Sequence, residues 1–135
     1  MDTPKHQAGP LLQKSFAFAV RVMKLHRHLQ AKEHEFNVSK QLVRSATSIG
    51  ANAEEATGAI SSADFTSKLS IAYKEARETS YWLRLLHASG YLEEKLFVSF
   101  HDDCQQLCRI LFSILRSSGR ACPVFSNCLL LTVNS

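Results

Sequence analysis

Apolar residues recur at three- and four-residue steps through most of the chain, in four stretches separated by short polar or glycine-containing breaks. That spacing predicts amphipathic helices, and no alternating strand pattern competes within the stretches. The first predicted helix, 11–32, has two neighbouring stripes, Phe16-Val20-Met23 and Phe18-Val22-Leu25-Leu29, which together read as one broad buried face. It stops in the polar turn KEHEFN. The second, 39–60, carries Leu42, Ala46, Ile49, Ala53, Ala56 and Ile60 as a heptad seam whose small residues let a neighbouring helix come close. The third, 63–89, repeats the pattern with Phe65, Leu69, Ala72, Ala76, Thr79, Leu83 and Leu86; Ser61, Ser62 and Asp64 offer N-caps and Gly90 a C-cap. The fourth, 93–118, uses Phe97, Phe100, Cys104, Leu107, Leu111 and Ile114, with Gly119 after it.

Four helices of about twenty residues with short connections imply antiparallel neighbours. The expected fold is therefore all-α, an antiparallel up-down-up-down four-helix bundle over 11–118. A flexible N-terminus at 1–10 precedes it and an irregular tail at 119–135 follows. The tail breaks the helical pattern at Pro123 and ends in LLLTV, too short to span a membrane; packing on the bundle, an added strand and a disordered extension all remain open for it.

Composition narrows the class. A chain of 135 residues, 45% hydrophobic, without a run of eighteen apolar residues, is one soluble domain with a sizeable core. Its start, MDTPKHQAGP, lacks the apolar region of a secretory signal, so a cytoplasmic location and reduced thiols for the four cysteines are expected.

Charge is divided by region. From residue 3 to 32 there are six Lys/Arg and no acid, and from 104 to 135 three Arg and no acid, while 33–103 holds eleven of the twelve acids. In the expected topology the first and fourth helices are neighbours, so Lys14, Arg21, Lys24 and His28 can merge with Arg109, Arg116 and Arg120 into one basic surface. Lys14, Arg21, Lys24, Arg27, Arg109 and Arg116 are the candidates for contacting nucleic acid, by phosphate attraction rather than base stacking, since few aromatics interleave with them.

The stretch SIGANAEEA, 48–56, carries two adjacent glutamates. Winding the helix at about 100° per residue separates Glu54 from Glu55 and counts against a paired acid/base site. The same winding lines Ser45, Ser48, Asn52 and Glu55 along one border of the seam. Asn52 reads as a buried amide bonded to the neighbouring helix, with Glu75 or a hydroxyl of the third helix as partner, against the plainer reading of a boundary residue bonded to water. No inward Glu-x-x-His unit of a di-metal bundle occurs. His101, Cys104 and Cys108 have a spacing that could hold zinc, yet small core cysteines are common. No catalytic residue, metal or cofactor is expected.

On the third helix a strip of Ile71, Glu75, Glu78, Trp82 and Leu85 lies roughly 80° to 160° from the seam centre. An indole and aliphatics mixed with carboxylates suit an interface between copies; the alternative is that Trp82 widens the core. Ile71, Glu78, Trp82 and Leu85 are the interface candidates.

RSATSIGANAEEA (44–56), followed by SSADFTSKLSIAYKEARETSYWLRLL (61–86), resembles the family of 23S rRNA intervening sequence proteins over roughly residues 12–118. Its Ser-Ile-x-x-Asn-x-x-Glu unit is met by Ser48, Ile49, Asn52 and Glu55. Its Asp-Phe unit is met by Asp64 and Phe65, and its Lys-Glu-Ala-x-Glu-Thr-x-Tyr-Trp-Leu run by Lys74, Glu75, Ala76, Glu78, Thr79, Tyr81, Trp82 and Leu83. The tail with Cys122 and Cys128 falls outside the pattern. The resemblance implies an antiparallel four-helix bundle assembling as a homopentamer, encoded in bacterial genomes both within 23S rRNA genes and elsewhere. It also implies kinship with the accessory proteins of diversity-generating retroelements, which work with a reverse transcriptase and nucleic acid. No enzymatic activity is established for the family. The expected function is a non-enzymatic homo-oligomer that binds RNA or DNA, or a nucleic-acid enzyme, through basic surfaces without strong sequence preference. The alternative is a structural or adaptor protein that binds another protein and has no nucleic-acid role.

Overall fold

The computed structural model describes residues 3–118, which form four α-helices: α1 (Thr3–Glu33), α2 (Asn37–Thr57), α3 (Ser62–Ala88) and α4 (Glu94–Ser117). Each helix packs against the next in sequence, and α4 returns to α1, where the packing is sparser. This is the expected up-down-up-down bundle. The apolar spacings map onto its interior: Phe18, Val22, Leu25 and Leu29 of α1, Leu42 to Ala56 of the α2 seam, Leu69 to Leu86 of α3, and Phe100 to Ile114 of α4 are buried.

Helix α1 runs back to Thr3, through Pro10; Pro4, in its first turn, costs no hydrogen bond because the first amides of a helix have no partner anyway. Two expectations are corrected. Phe16, Val20 and Met23 are not buried: they are 72%, 40% and 43% exposed. Helix α1 has neighbours on two sides only, and these residues wind to about 150° from the centre of its buried face. Ile60, expected in the α2 seam, is 95% exposed, because α2 ends at Thr57 before Gly58 and the chain turns outward. The tail, 119–135, lies outside the described residues.

Local chemistry sets the helix ends. The Glu35 carboxylate accepts from the backbone amides of Asn37, Val38 and Ser39 at 3.1, 2.8 and 2.7 Å, satisfying the free donors of α2. The Ser61 hydroxyl accepts from the Asp64 amide at 3.0 Å and caps α3 as expected. After α3, Gly90 takes φ +84°, and the amides of Gly90 and Tyr91 donate back to the carbonyls of His87 and Leu86, the glycine-terminated helix end in which a left-handed residue satisfies the last carbonyls. Gly50 serves packing instead, since a methyl group there would stand 3.3 Å from Ser15 Oγ and its absence lets α1 and α2 approach.

Candidate nucleic-acid and assembly surfaces

The α2–α3 border holds the polar residues of the sequence motif. Inside it, Thr79 Oγ1 donates to Ser45 Oγ at 2.9 Å, with the Glu75 carbonyl of its own helix, 2.8 Å away, as a second acceptor for the same proton. Ser45 and Thr79 are fully buried, so this hydroxyl pair is the interhelical polar contact of the seam. Asn52 does not supply it: its amide donates at 2.8 Å to the carbonyl of Ser48 on its own helix, a bond back to the preceding turn. Ser48 likewise bonds the Arg44 carbonyl.

Farther out, Glu55 pairs with Lys68 at 2.9 Å, and Arg44 reaches both Glu78 and, at 3.5 Å, Glu75. Burial raises the Glu75 carboxyl above its ordinary range; Arg44 opposes the rise and Glu78 adds to it. Glu54 is exposed, turned away from this cluster. Along the same groove Trp82 is half-buried against the core, with Tyr81 edge-on at 5.0 Å between ring centroids. Its indole Nε1 and Glu75 Oε2 are buried without hydrogen-bond partners among the described residues; the Arg44–Glu75 contact is an ion pair without hydrogen-bond geometry. Ile71 is 39% exposed, and Glu78 and Leu85 are half-buried. The four interface candidates thus share one outward groove, although Trp82 also serves the core.

The cations fall in two groups. Lys14, Lys24, Arg27, Arg109 and Arg116 are exposed, and none makes an ion pair among the described residues. Arg21 is different. Its guanidinium is bonded to Asp103, donates to Ser99 Oγ at 2.8 Å, and lies 4.1 Å over the Phe100 ring. Arg21 therefore clamps α4 to α1, with its charge matched. Asp103 sits in the middle of the α1–α4 border, and on ideal winding Arg109 and Arg116 lie about 120° or more around α4 from it. The exposed cations thus lie on two neighbouring helices, α1 and α4, with Arg21 at their border already paired. Arg120 lies outside the described residues.

The zinc spacing does not converge. Ser80 Oγ and the Gln105 amide nitrogen lie 3.0 and 3.2 Å from His101 Nε2. With the amide nitrogen as donor, His101 Nε2 is the acceptor in that contact. Burial first, then the Arg84 charge, hold the imidazole below its ordinary value. Cys104 donates to the Ala76 carbonyl at 3.2 Å, and its hydrogen bond with Cys108, together with burial, raises its thiol well above the usual range. Among the described residues no three His, Cys, Asp or Glu side chains group as metal ligands.

Residues 10–113 match the family described as 23S rRNA-intervening sequence protein. The chain belongs to that family. The fold is also similar to the crystal structure of a protein with unknown function from the S23 ribosomal protein family of Bacteroides thetaiotaomicron. That protein is 44% identical, with a TM-score of 0.80 over 82% of this chain and 98% of the other. No curated protein matches. For this intervening sequence protein the matched region contains the whole α2–α3 groove and both cation strips as far as Arg109. No helix among the described residues is long and apolar enough to cross a membrane.

Sequence reasoning missed three features: the Glu35 cap, the Ser80–His101 contact and the outward α1 stripe. A glutamate in the polar turn just ahead of α2 was the available signal for the first. The others depend on which helix lies beside which.

Proposed function

We propose that this intervening sequence protein is a cytoplasmic, non-enzymatic homopentamer that binds RNA or DNA through the exposed cations of α1 and α4, without strong sequence preference. The observation that carries the reading is the set Lys14, Lys24, Arg27, Arg109 and Arg116, exposed and without ion-pair partners among the described residues. Cations left unpaired on two helices keep their charge for phosphates, and a ring repeats each strip, so weak contacts add. The family kinship supports the ring, as does the part-exposed groove around Trp82.

Binding of mixed-sequence RNA, followed by fluorescence anisotropy across a salt series, tests it. Affinity should fall steeply with salt. Lys24→Ala or Arg109→Ala should flatten the plot of log K against log salt by about 0.7–0.9 for each phosphate no longer neutralised. Arg21→Ala should leave the slope unchanged, because Asp103 already matches its charge. Absence of binding, or affinity flat across salt, refutes the reading. Capture of a protein from nuclease-treated lysate, indifferent to Lys14 and Arg109 reversal, would favour the adaptor alternative.

A further inference from the structure

Two strips on the outside of the bundle have the same design and no partner for their outer faces among the described residues. On α1, Phe16, Val20 and Met23 step by four and three residues and are 72%, 40% and 43% exposed. On α3, Ile71, Glu78, Trp82 and Leu85 follow the same heptad spacing along the α2–α3 groove. Exposed apolar stripes of this length mark interaction surfaces. Their charges are complementary as well. From residue 3 to 32 every formally charged residue is Lys or Arg, whereas the groove carries Glu55, Glu75 and Glu78 against Arg44 and Lys68.

The internal contacts also set relative heights. His26 meets Ser39 at 3.0 Å and Ser45 meets Thr79 at 2.9 Å. With antiparallel neighbours of equal rise, Met23 therefore stands at about the height of Trp82, and Phe16 at about that of Glu75. Copies related by rotation about an axis along the bundle keep those heights. A thioether against an indole, with the aliphatics beside it, is a favourable pairing. On ideal winding the α1 strip and the groove point about 100° apart around the bundle. Faces set at that angle curve successive copies into a closed ring of few members, about 108° being the angle for five; faces opposed at 180° would instead build a fibre.

We propose that the outward α1 stripe of one copy, with Arg27 continuing it four residues after Met23, docks into the α2–α3 groove of the next, so that each ring interface joins two different faces and phosphate binding falls to Lys14, Lys24, Arg109 and Arg116. This rests on the ring reading above and specifies its geometry.

Two variants test it by light scattering, with far-UV circular dichroism as the check on folding. Val20→Asp spoils the α1 stripe alone and Ile71→Asp the groove alone; both residues are exposed enough for the single chain to fold with the change. Phe16→Asp is a second α1 variant, at a still more exposed site. Each variant by itself should fall from the ring mass to that of one chain. Mixed in equal amounts, Val20→Asp and Ile71→Asp should form a dimer of two chains and nothing larger, because each retains the face the other lacks. A single-chain mass for the unaltered protein would overturn the ring reading itself. A ring that survives both Val20→Asp and Phe16→Asp while Ile71→Asp dissociates it would leave the ring standing and overturn this docking. So would single-chain variants that stay apart on mixing.

Discussion

Removing the Thr79 hydroxyl tests what ties α2 to α3. Thr79→Val keeps the branched shape and exchanges the hydroxyl for a methyl at a fully buried site. The substitution abolishes the 2.9 Å approach to Ser45 Oγ. Neither partner is stranded: Ser45 Oγ keeps the Leu42 carbonyl at 3.2 Å, and the Glu75 carbonyl sits inside the helix with its backbone donor. The cost is therefore that of a net hydrogen bond, about 0.5–1.5 kcal/mol, rather than the ~1–3 kcal/mol of an orphaned buried group. Ser45→Ala should cost a similar amount, and the double variant about one interaction energy less than the sum. Urea unfolding of the four proteins at one protein concentration measures this, since assembly makes stability concentration-dependent. Asn52→Ala is the comparison: among the described residues its amide bonds only a carbonyl of its own helix, so it should cost less than about 0.5 kcal/mol. A coupling below about 0.3 kcal/mol, within the usual error of additivity, would refute the assignment of the interhelical contact to this pair. So would an Asn52→Ala cost larger than that of Thr79→Val.

Two further outcomes follow from local geometry. Because the folded state raises the Glu75 carboxyl pKa, its contribution is fully present below the unfolded pKa and is lost as pH rises through the folded one. Glu75→Gln should therefore melt higher than the unaltered protein at pH 7, with the gap closing toward pH 4 in parallel thermal scans; a gap that widens on acidification contradicts the sign. Gly90→Ala places a side chain at φ +84° with open space around it, so backbone strain alone should lower stability by roughly 1–2 kcal/mol, read as a lower urea midpoint with an unchanged slope.

The period of apolar residues determined the four helices, their antiparallel order and most of the core, because a buried face of a helix must repeat at its own turn. Leu42, Leu69, Leu83, Leu107 and Leu111 are buried where that period puts them. The motif residues of α2 and α3 were legible too, as was the separation of Glu54 from Glu55. What the period leaves open is which angular sector of a helix meets a neighbour. Two stripes of α1 are equally apolar in sequence, and only the placement of α2 and α4 buried Phe18 and left Phe16 outside. Arg21 and Lys24 look alike as charges on one helix; the arrival of Asp103 from α4 neutralised the first and left the second exposed. Ser45 and Thr79 are thirty-four positions apart, and their contact exists only because α2 and α3 cross at that height. Helix content follows from local chemistry, whereas the surfaces available to phosphates or to another copy are set by which faces the bundle has already used.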